Sequence, residues 1–357
     1  MPLAQIDEQG ITLYYEDSGP PPAVQFYTTL ILVHGLVINS ATFEHLLPLA
    51  SRYGLRIITV NSRDYAGSTP YTDEELPDLA NPDTNIQAVA VRRWGTETAR
   101  FVRFACETLG LHATANGAGG VVLVTWSMSG IAALSILGDS RTMDQDLGAS
   151  LAPYLRKVVL YDPPALVFGT NPGPGFIFPF NDPTIPVDKR AEAFGTWASS
   201  WYDPVFALAD ITLEALRART APLPATPTLS KLSPEGLART IDPSVAGRSA
   251  RIMDTTDEIR QAHARCAFMD ADAVLPDVDV LSLWCDSSKW SNVWGAKVID
   301  GFVRAAPERG KRKRNMSHVK IENANHFVHW EDPERLLRII VQFCGSNVVA
   351  SAEPSRL

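Results

Sequence analysis

Ser127 lies between two apolar segments of different character. Residues 121–124 form a continuous β-branched run that predicts a buried parallel strand, and the apolar residues 130–137 predict a buried helix. A serine at a sharp strand-to-helix corner is held exposed above the sheet edge, where it can attack a carbonyl carbon. The corner therefore indicates acyl-transfer chemistry.

Two serines at this corner could be the nucleophile. In so tight a turn the residues two positions before and two after the nucleophile come close together, so both must be small. For Ser127 these are Thr125 and Ser129, whereas Ser129 would need the branched Ile131 at one of them. We therefore assign the nucleophile to Ser127; the alternative is a serine-rich helix start without chemistry.

A serine nucleophile needs a general base, and His326 is the candidate. It lies in the loop between the last predicted strand, residues 318–321, and the C-terminal predicted helix, residues 333–343. His329 competes with it but lies nearer the start of that helix. Chain order, with the histidine last, also fits a hydrolase triad on a parallel sheet.

Two backbone N–H groups are predicted to bind the oxyanion. One belongs to Met128, directly after the nucleophile, and the other to Leu36, in the turn that follows the strand at residues 29–33. Gly35 lets the backbone of this turn come close to the reacting atoms. His34 is expected to pack beneath the turn as a structural residue.

The acid of the triad is open between two residues. It usually follows the seventh strand in a Gly-x-x-Asp pattern, but here Cys285 and Ser288 stand at the glycine and aspartate positions. Asp162, at the end of the preceding strand, could reach the histidine ring, as could Asp286 after a short loop adjustment. We favour Asp162 and keep Asp286 as the alternative.

Strand-like and helix-like segments alternate through most of the chain, which predicts a mostly parallel eight-stranded sheet with helices on both faces. Further strands are expected at residues 56–60, 157–161 and 278–284, after an alternating strand pair within residues 5–15, and helices at residues 42–52, 93–109, 130–137 and 333–343. Residues 1–163 and 276–357 would form this α/β core.

Residues 164–275 carry no strand-like run and are predicted to form a helical cap inserted after the sixth strand. Its helices are expected at residues 187–202, 204–219, 234–240 and 249–269. Phe194, Trp197 and Trp201 would share one helical face and mainly attach the cap to the core. The predicted substrate pocket combines Trp197 and Trp201 with Gly35 and Trp126.

Composition narrows the function classes. The chain has 357 residues, 45% of them apolar, and a net charge of −8, which argues against nucleic acid and anionic membranes as partners. The basic run at residues 309–314 is expected to be a solvated loop, with polyanion docking as the alternative. The four cysteines have neither a metal-binding nor a disulfide spacing. We expect a cytoplasmic protein whose partner is a small-molecule substrate; its oligomeric state stays open.

On these residues the chain resembles cap-bearing serine hydrolases of the α/β-hydrolase superfamily. The resemblance rests on residues 32–35, 61–69, 126–130, 160–164 and 325–330. Haloalkane dehalogenase-like members carry the acid after the sixth strand, which supports Asp162, but a serine at the corner disfavours dehalogenase and epoxide hydrolase chemistry. The long cap and the sequence Tyr-Asp-Pro-Pro are similar to uncharacterised fungal hydrolases, some of them associated with secondary metabolism.

The predicted function is a serine hydrolase that cleaves an ester or lactone of an apolar small molecule, a carboxylesterase or lactonase. Ser127, His326 and Asp162 would form the triad, with no metal or organic cofactor. Two alternatives use the same fold: a hydrolase of carbon–carbon bonds, and a non-hydrolytic catalyst or ligand-binding protein.

Overall fold

The computed structural model describes residues 2–345 except residues 23, 116 and 174. Its centre is one eight-stranded sheet with the strand order β1-β2-β4-β3-β5-β6-β7-β8. The strands are β1 (Leu3–Gln5), β2 (Thr12–Asp17), β3 (Thr28–Val33), β4 (Leu55–Val60), β5 (Val121–Trp126), β6 (Leu155–Tyr161), β7 (Asp279–Cys285) and β8 (Met316–Ile321).

The sheet is parallel from β3 to β8, while β1 and β2 pair antiparallel at one edge. Every residue of β3, β4 and β5 is buried, as their continuous apolar runs predict for strands covered on both faces. The predicted fold class is confirmed. In register, Trp126 pairs with Tyr161, and Tyr161 pairs with Leu283. The loops after β5, β6 and β7 therefore meet at one edge of the sheet, where ligands bind in such folds.

Helices cover both faces of the sheet and build the cap. They are α1 (Thr84–Thr108), α2 (Gly130–Gly138), α3 (Gln145–Leu151), α4 (Arg190–Ser199), α5 (Leu213–Ala218), α6 (Pro234–Thr240), α7 (Asp257–Met269), α8 (Trp290–Arg304), α9 (Val328–Glu331) and α10 (Pro333–Cys344). Among the described residues, no helix combines the length and the apolarity that a bilayer crossing requires.

The helix predicted at residues 42–52 is wrong. The segment forms three short 3₁₀ turns, at Ser40–Phe43, Leu47–Leu49 and Ser51–Tyr53. Pro48 lacks the N–H that an α-helix interior needs, and it disfavours helical geometry at the residue before it. Tertiary contacts also lengthen α1, which begins nine residues before its predicted start. The side chain of Asp83 caps it by accepting a hydrogen bond from Asn85 N.

The cap elements lie between β6 and β7, as predicted; α6 has its predicted bounds, whereas α4, α5 and α7 are shorter than expected. Only α5 is helical in the span 204–219 apart from a 3₁₀ turn at Leu208–Asp210, and α7 begins at Asp257 rather than at residue 249. Helix α7 packs on the core helix α2, and a Cβ at Gly138 would lie 2.1 Å from the His263 carbonyl oxygen. The limits 164 and 275 stay a prediction.

The basic run at residues 309–314 is not simply a solvated loop. Arg314 is buried, and its guanidinium donates to backbone carbonyls of the segment that returns from the cap to β7. The closest of these acceptors are Ala267, Val274, Leu275 and Val278. Lys311 and Arg312 form ion pairs with Asp270 and Asp272. Much of the positive charge is therefore matched within the chain itself.

Candidate active site

The corner after β5 holds Ser127 in a strained conformation. Ser127 has a φ of +61°, a 3₁₀ turn covers Ser127–Ser129, and α2 begins at Gly130. A non-glycine residue in this region costs about 1–3 kcal/mol, so its surroundings must impose the conformation. The Ser129 hydroxyl is placed to donate to the carbonyl oxygens of Trp126 and Val33, at 2.9 and 3.0 Å. Ser129 is thus a structural part of the corner.

Gly35 faces this corner from the turn after β3. A Cβ at this position would lie 3.0 Å from Ser127 Cβ and 3.2 Å from Trp126 Cε3. Only a glycine therefore lets the two loops approach without displacement. This contact brings the predicted oxyanion turn against the predicted nucleophile.

His326 is held by a carboxylate and an aromatic ring. Its Nδ1 lies 2.6 Å from Asp162 Oδ2, so Nδ1 carries the proton and Nε2 is left as the basic nitrogen. The ring lies against the indole of Trp126, with centroids 4.6 Å apart, and Trp126 Nε1 donates to the His326 carbonyl oxygen at 3.0 Å. Trp126 is almost fully buried and therefore supports the histidine from below.

Asp162 follows β6 and accepts hydrogen bonds from four groups. Besides His326, the donors are Ser288 Oγ at 2.5 Å, Asn292 Nδ2 at 3.2 Å and Cys285 N at 3.0 Å. Burial alone would raise the pKa of Asp162. The pKa is nevertheless held below its usual value by the hydrogen bond and charge of His326, by the nearby Lys289 and by the Ser288 hydroxyl. Asp162 is thus an ionised and fully satisfied carboxylate.

The structure brings Asp162, and not Asp286, onto the histidine. Asp286 Oδ1 accepts hydrogen bonds from Ser287 Oγ and Ala324 N, at 3.0 and 3.3 Å. Ser288, the hydroxyl at the usual acid position, donates to the acid from the neighbouring strand. The serine at position 288, where an aspartate is usual, was therefore a sequence signal of the contact between Ser288 and Asp162.

Asn292 was missed because the sequence pattern did not predict α8, on which it lies. Its amide nitrogen lies within hydrogen-bond distance of the Asp162 carboxylate and also contacts the Asp162 carbonyl oxygen. It lies 3.2 Å from His326 Nδ1 as well. Asn292 therefore fixes the position of the acid from a direction that the strand loops do not cover.

His329 has a structural environment. Its Nε2 lies 2.8 Å from Thr42 Oγ1, and its Nδ1 lies 3.0 Å from the Tyr161 hydroxyl. Burial lowers its pKa well below the ordinary value. Because both ring nitrogens are occupied, His329 is not available as the base for Ser127.

The predicted oxyanion turn is braced from below. His34 is buried; its Nε2 accepts from Ser62 N at 3.0 Å, and its Nδ1 donates to the Gly35 carbonyl at 2.7 Å. Val37 has a φ of +68°, which is rare for a β-branched residue, and its N–H donates to the Tyr65 hydroxyl. His34 is thus structural in its contacts, as predicted.

Both predicted oxyanion donors are free for a ligand within the described part of the chain. The N–H of Leu36 donates to no group there. The N–H of Met128 lies in the first turn of its 3₁₀ segment, where backbone donors have no partner within the helix.

Burial sets the protonation of the predicted base. It lowers the pKa of His326 to about 4, with a further lowering by the charge of Lys289, against the opposing effect of Asp162. The imidazole is therefore neutral at pH 7 and able to accept a proton. Ser127 Oγ and His326 form no hydrogen bond in the structure; such bonds often tighten only when substrate is bound.

The predicted pocket tryptophans of the cap have different surroundings. Trp197, on α4, packs against Phe178 and Trp290 with centroids 5.6 and 6.2 Å apart. Trp201 lies beyond the end of α4 at Ser199, so it does not share the helical face of Trp197. The pocket roles of both residues stay predictions. Across the described residues, no cluster of three or more His, Cys, Asp or Glu side chains is arranged to hold a metal ion.

The chain belongs to the alpha/beta hydrolase family, whose family profile matches residues 30–339. No curated protein gives a significant sequence match.

Solved structures with the same fold include enzymes of different chemistry. A carboxylesterase of the thaumarchaeon Nitrososphaera gargenis is 13% identical, with 96% of this chain and 98% of that chain covered and a TM-score of 0.54. An esterase of Exiguobacterium antarcticum is 17% identical, with 96% and 99% covered and a TM-score of 0.51. Epoxide hydrolase A of Mycobacterium thermoresistibile is 14% identical, with 96% and 97% covered and a TM-score of 0.52. At these identities the similarity concerns the fold alone.

Proposed function

We propose that the protein is a serine hydrolase that cleaves an ester or lactone bond of a small, largely apolar molecule. The observation that carries the proposal is the hydrogen bond between His326 Nδ1 and the buried Asp162 carboxylate, beside a serine at a strained strand-to-helix corner. This arrangement fixes the tautomer in which Nε2 can take a proton. The esterases among the structural neighbours are consistent with this reaction class.

The reaction follows from these groups. His326 Nε2 accepts the proton of Ser127 Oγ as that oxygen attacks the carbonyl carbon, and Asp162 stabilises the imidazolium that forms. The N–H groups of Leu36 and Met128 stabilise the negative charge that develops on the carbonyl oxygen. His326 then protonates the leaving alcohol, and a water activated by the same histidine hydrolyses the acyl-enzyme.

The surroundings of Ser127 support an apolar substrate. Leu36 and Met128, which carry the predicted oxyanion donors, are apolar and buried, and Trp197 packs against Trp290, the first residue of α8 after β7. The reaction needs no metal or organic cofactor. We further propose that the protein is located in the cytoplasm and that it binds neither nucleic acids nor membranes.

Turnover of p-nitrophenyl esters tests the proposal. Ser127→Ala and His326→Ala are each expected to lower kcat by about 10⁴-fold or more, because either change disables the nucleophile. Circular dichroism must show that both variants keep the fold. Undiminished activity in either folded variant contradicts the proposal.

A ligand-binding protein on the same fold is the second candidate, because Ser127 and His326 form no hydrogen bond in the structure. A fluorophosphonate probe separates the two candidates, since only an activated serine is phosphonylated at a useful rate. A carbon–carbon bond hydrolase would be labelled as well, and analysis of its products would distinguish it from an esterase.

A further inference from the structure

Lys289 is a buried cation without a hydrogen-bond partner. It is the residue before α8, only 3% of its surface is exposed, and its Nζ contacts no acceptor in the described residues. Buried charges are normally paired or hydrogen-bonded, because desolvation of an isolated ammonium is costly. By comparison, Lys297, two turns further along α8, donates to the Ile211 carbonyl. Beyond a cation–π contact with Trp197, Lys289 therefore lacks an anion or a hydrogen-bond acceptor.

The lysine lies between the triad and the cap. Its backbone neighbour Ser288 donates to Asp162, and on the cap side its Nζ lies 5.2 Å from the ring centroid of Trp197. Asp162 is not its partner, because the two form no ion pair and four other donors already bind that carboxylate.

The loop that carries Lys289 is fixed by the cap. Tyr202 N donates to the Ser287 carbonyl at 3.0 Å, and Val205 N donates to the Asp286 carbonyl at 3.1 Å. Arg219 Nη2 donates to the Ser288 carbonyl at 3.0 Å. These bonds hold the lysine backbone at the boundary between the core and the predicted cap.

Two sources of positive potential meet near this point. Lys289 is the N-cap of the 15-residue helix α8, whose N-terminus adds to the potential of its ammonium group. Burial lowers the pKa of Lys289 to about 7, while the charge of Asp162 opposes this shift. An anion that bound there would favour the protonated form and supply the missing acceptors.

We propose that Lys289 binds a carboxylate of the substrate, so that the preferred substrates are apolar esters or lactones that also carry a free carboxylate. The inference rests on the proposed hydrolase function for the identity of the scissile bond. It assigns Lys289 a role in specificity: the ammonium pairs with the substrate's anionic end while Ser127 attacks the ester.

Binding to an inactive variant tests this assignment without any turnover. Ser127→Ala protein is titrated with monomethyl succinate, monomethyl glutarate and monomethyl adipate, and with the corresponding neutral dimethyl esters, by ligand-observed NMR. At least one monoester is expected to bind about tenfold or more tightly than its dimethyl ester, as for a charge-assisted hydrogen bond. Lys289→Met in the same background should abolish this preference, whereas Lys297→Met should keep it.

Stability provides a second readout. Lys289→Met replaces an unpaired buried ammonium by an apolar chain of similar length, so its midpoint of urea unfolding should equal or exceed that of the wild type. A lysine with a purely structural role would instead lower the midpoint when removed. Equal binding of charged and neutral esters, a preference that survives Lys289→Met, or a marked loss of stability would each overturn the assignment.

The outcomes separate this inference from the proposed function. If the wild type hydrolyses esters but the Ser127→Ala protein shows no preference for monoesters, the lysine assignment fails alone. If the preference depends on Lys289 and no ester is hydrolysed, Lys289 still binds a ligand carboxylate and the hydrolase proposal fails alone.

Discussion

Asp162→Asn is the substitution that most sharply tests the acid of the proposed triad. Asp162 Oδ1 accepts from Cys285 N, and Oδ2 accepts from His326, Ser288 and Asn292. An asparagine is expected to place its oxygen toward Cys285 N, because this backbone N–H cannot reorient, whereas the side chains of Ser288, Asn292 and His326 can rotate or change tautomer. Its NH₂ group then faces the histidine.

This orientation inverts the histidine tautomer. To accept a hydrogen bond from the new amide, His326 must carry its proton on Nε2, and that nitrogen can no longer take the proton of Ser127. The corresponding change in a serine protease with a Ser-His-Asp triad lowers kcat by about 10⁴-fold, which is about 5.4 kcal/mol of transition-state stabilisation. We expect a loss of about this size in kcat.

Asp286→Asn is the matched control. It keeps the oxygen that accepts from Ser287 Oγ and Ala324 N, and it has no contact with His326. Its kcat on p-nitrophenyl butyrate should therefore stay within about tenfold of the wild type. Near-normal turnover by folded Asp162→Asn, or a larger loss in Asp286→Asn, would mean that Asp162 does not act as the acid of the triad.

Three further predictions concern the predicted base His326, the predicted oxyanion turn at Gly35 and the buried Arg314. Because the base must be unprotonated, kcat/KM should rise with pH through the pKa of His326, about 4, and level off above it. A rise of kcat/KM centred near pH 6.5 would argue against so buried a base. Gly35→Ala would set a Cβ 3.0 Å from Ser127 Cβ. The free energy of unfolding in urea should therefore fall by about 1–3 kcal/mol, and kcat/KM should fall as well. If both values were unchanged, the close contact would be contradicted. Arg314→Met leaves several buried carbonyl groups without their donor, so the free energy of unfolding in urea should fall by about 3 kcal/mol or more. The protein that stays folded should keep its activity, and an unchanged free energy of unfolding would mean that these contacts add little.

The sequence was informative where local pattern and function coincide. The β-branched run of β5, the small residues around Ser127 and the apolar run of α2 are local features, and the structure follows them within a few residues. The unusual Ser288 marked the place where the acid is bound, although only the strand register shows that Asp162 lies beside it.

The sequence was uninformative where tertiary contacts decide. Helix α8 contains Gly295, which lowers its intrinsic helix propensity by about 1 kcal/mol. The glycine is required because a Cβ there would lie 2.3 Å from the Pro163 carbonyl oxygen. The contact between Gly295 and Pro163 joins chain segments more than a hundred residues apart. The positions of Asn292 and Lys289 depend on the same contact.

Covalent labelling followed by peptide mass spectrometry tests whether Ser127 is a nucleophile activated by His326. Fluorophosphonate is expected to add to Ser127 in the wild type, and labelling should be lost in His326→Ala protein that remains folded. Absence of labelling in the folded wild type, or labelling at Ser129 in place of Ser127, would show that Ser127 is not an activated nucleophile.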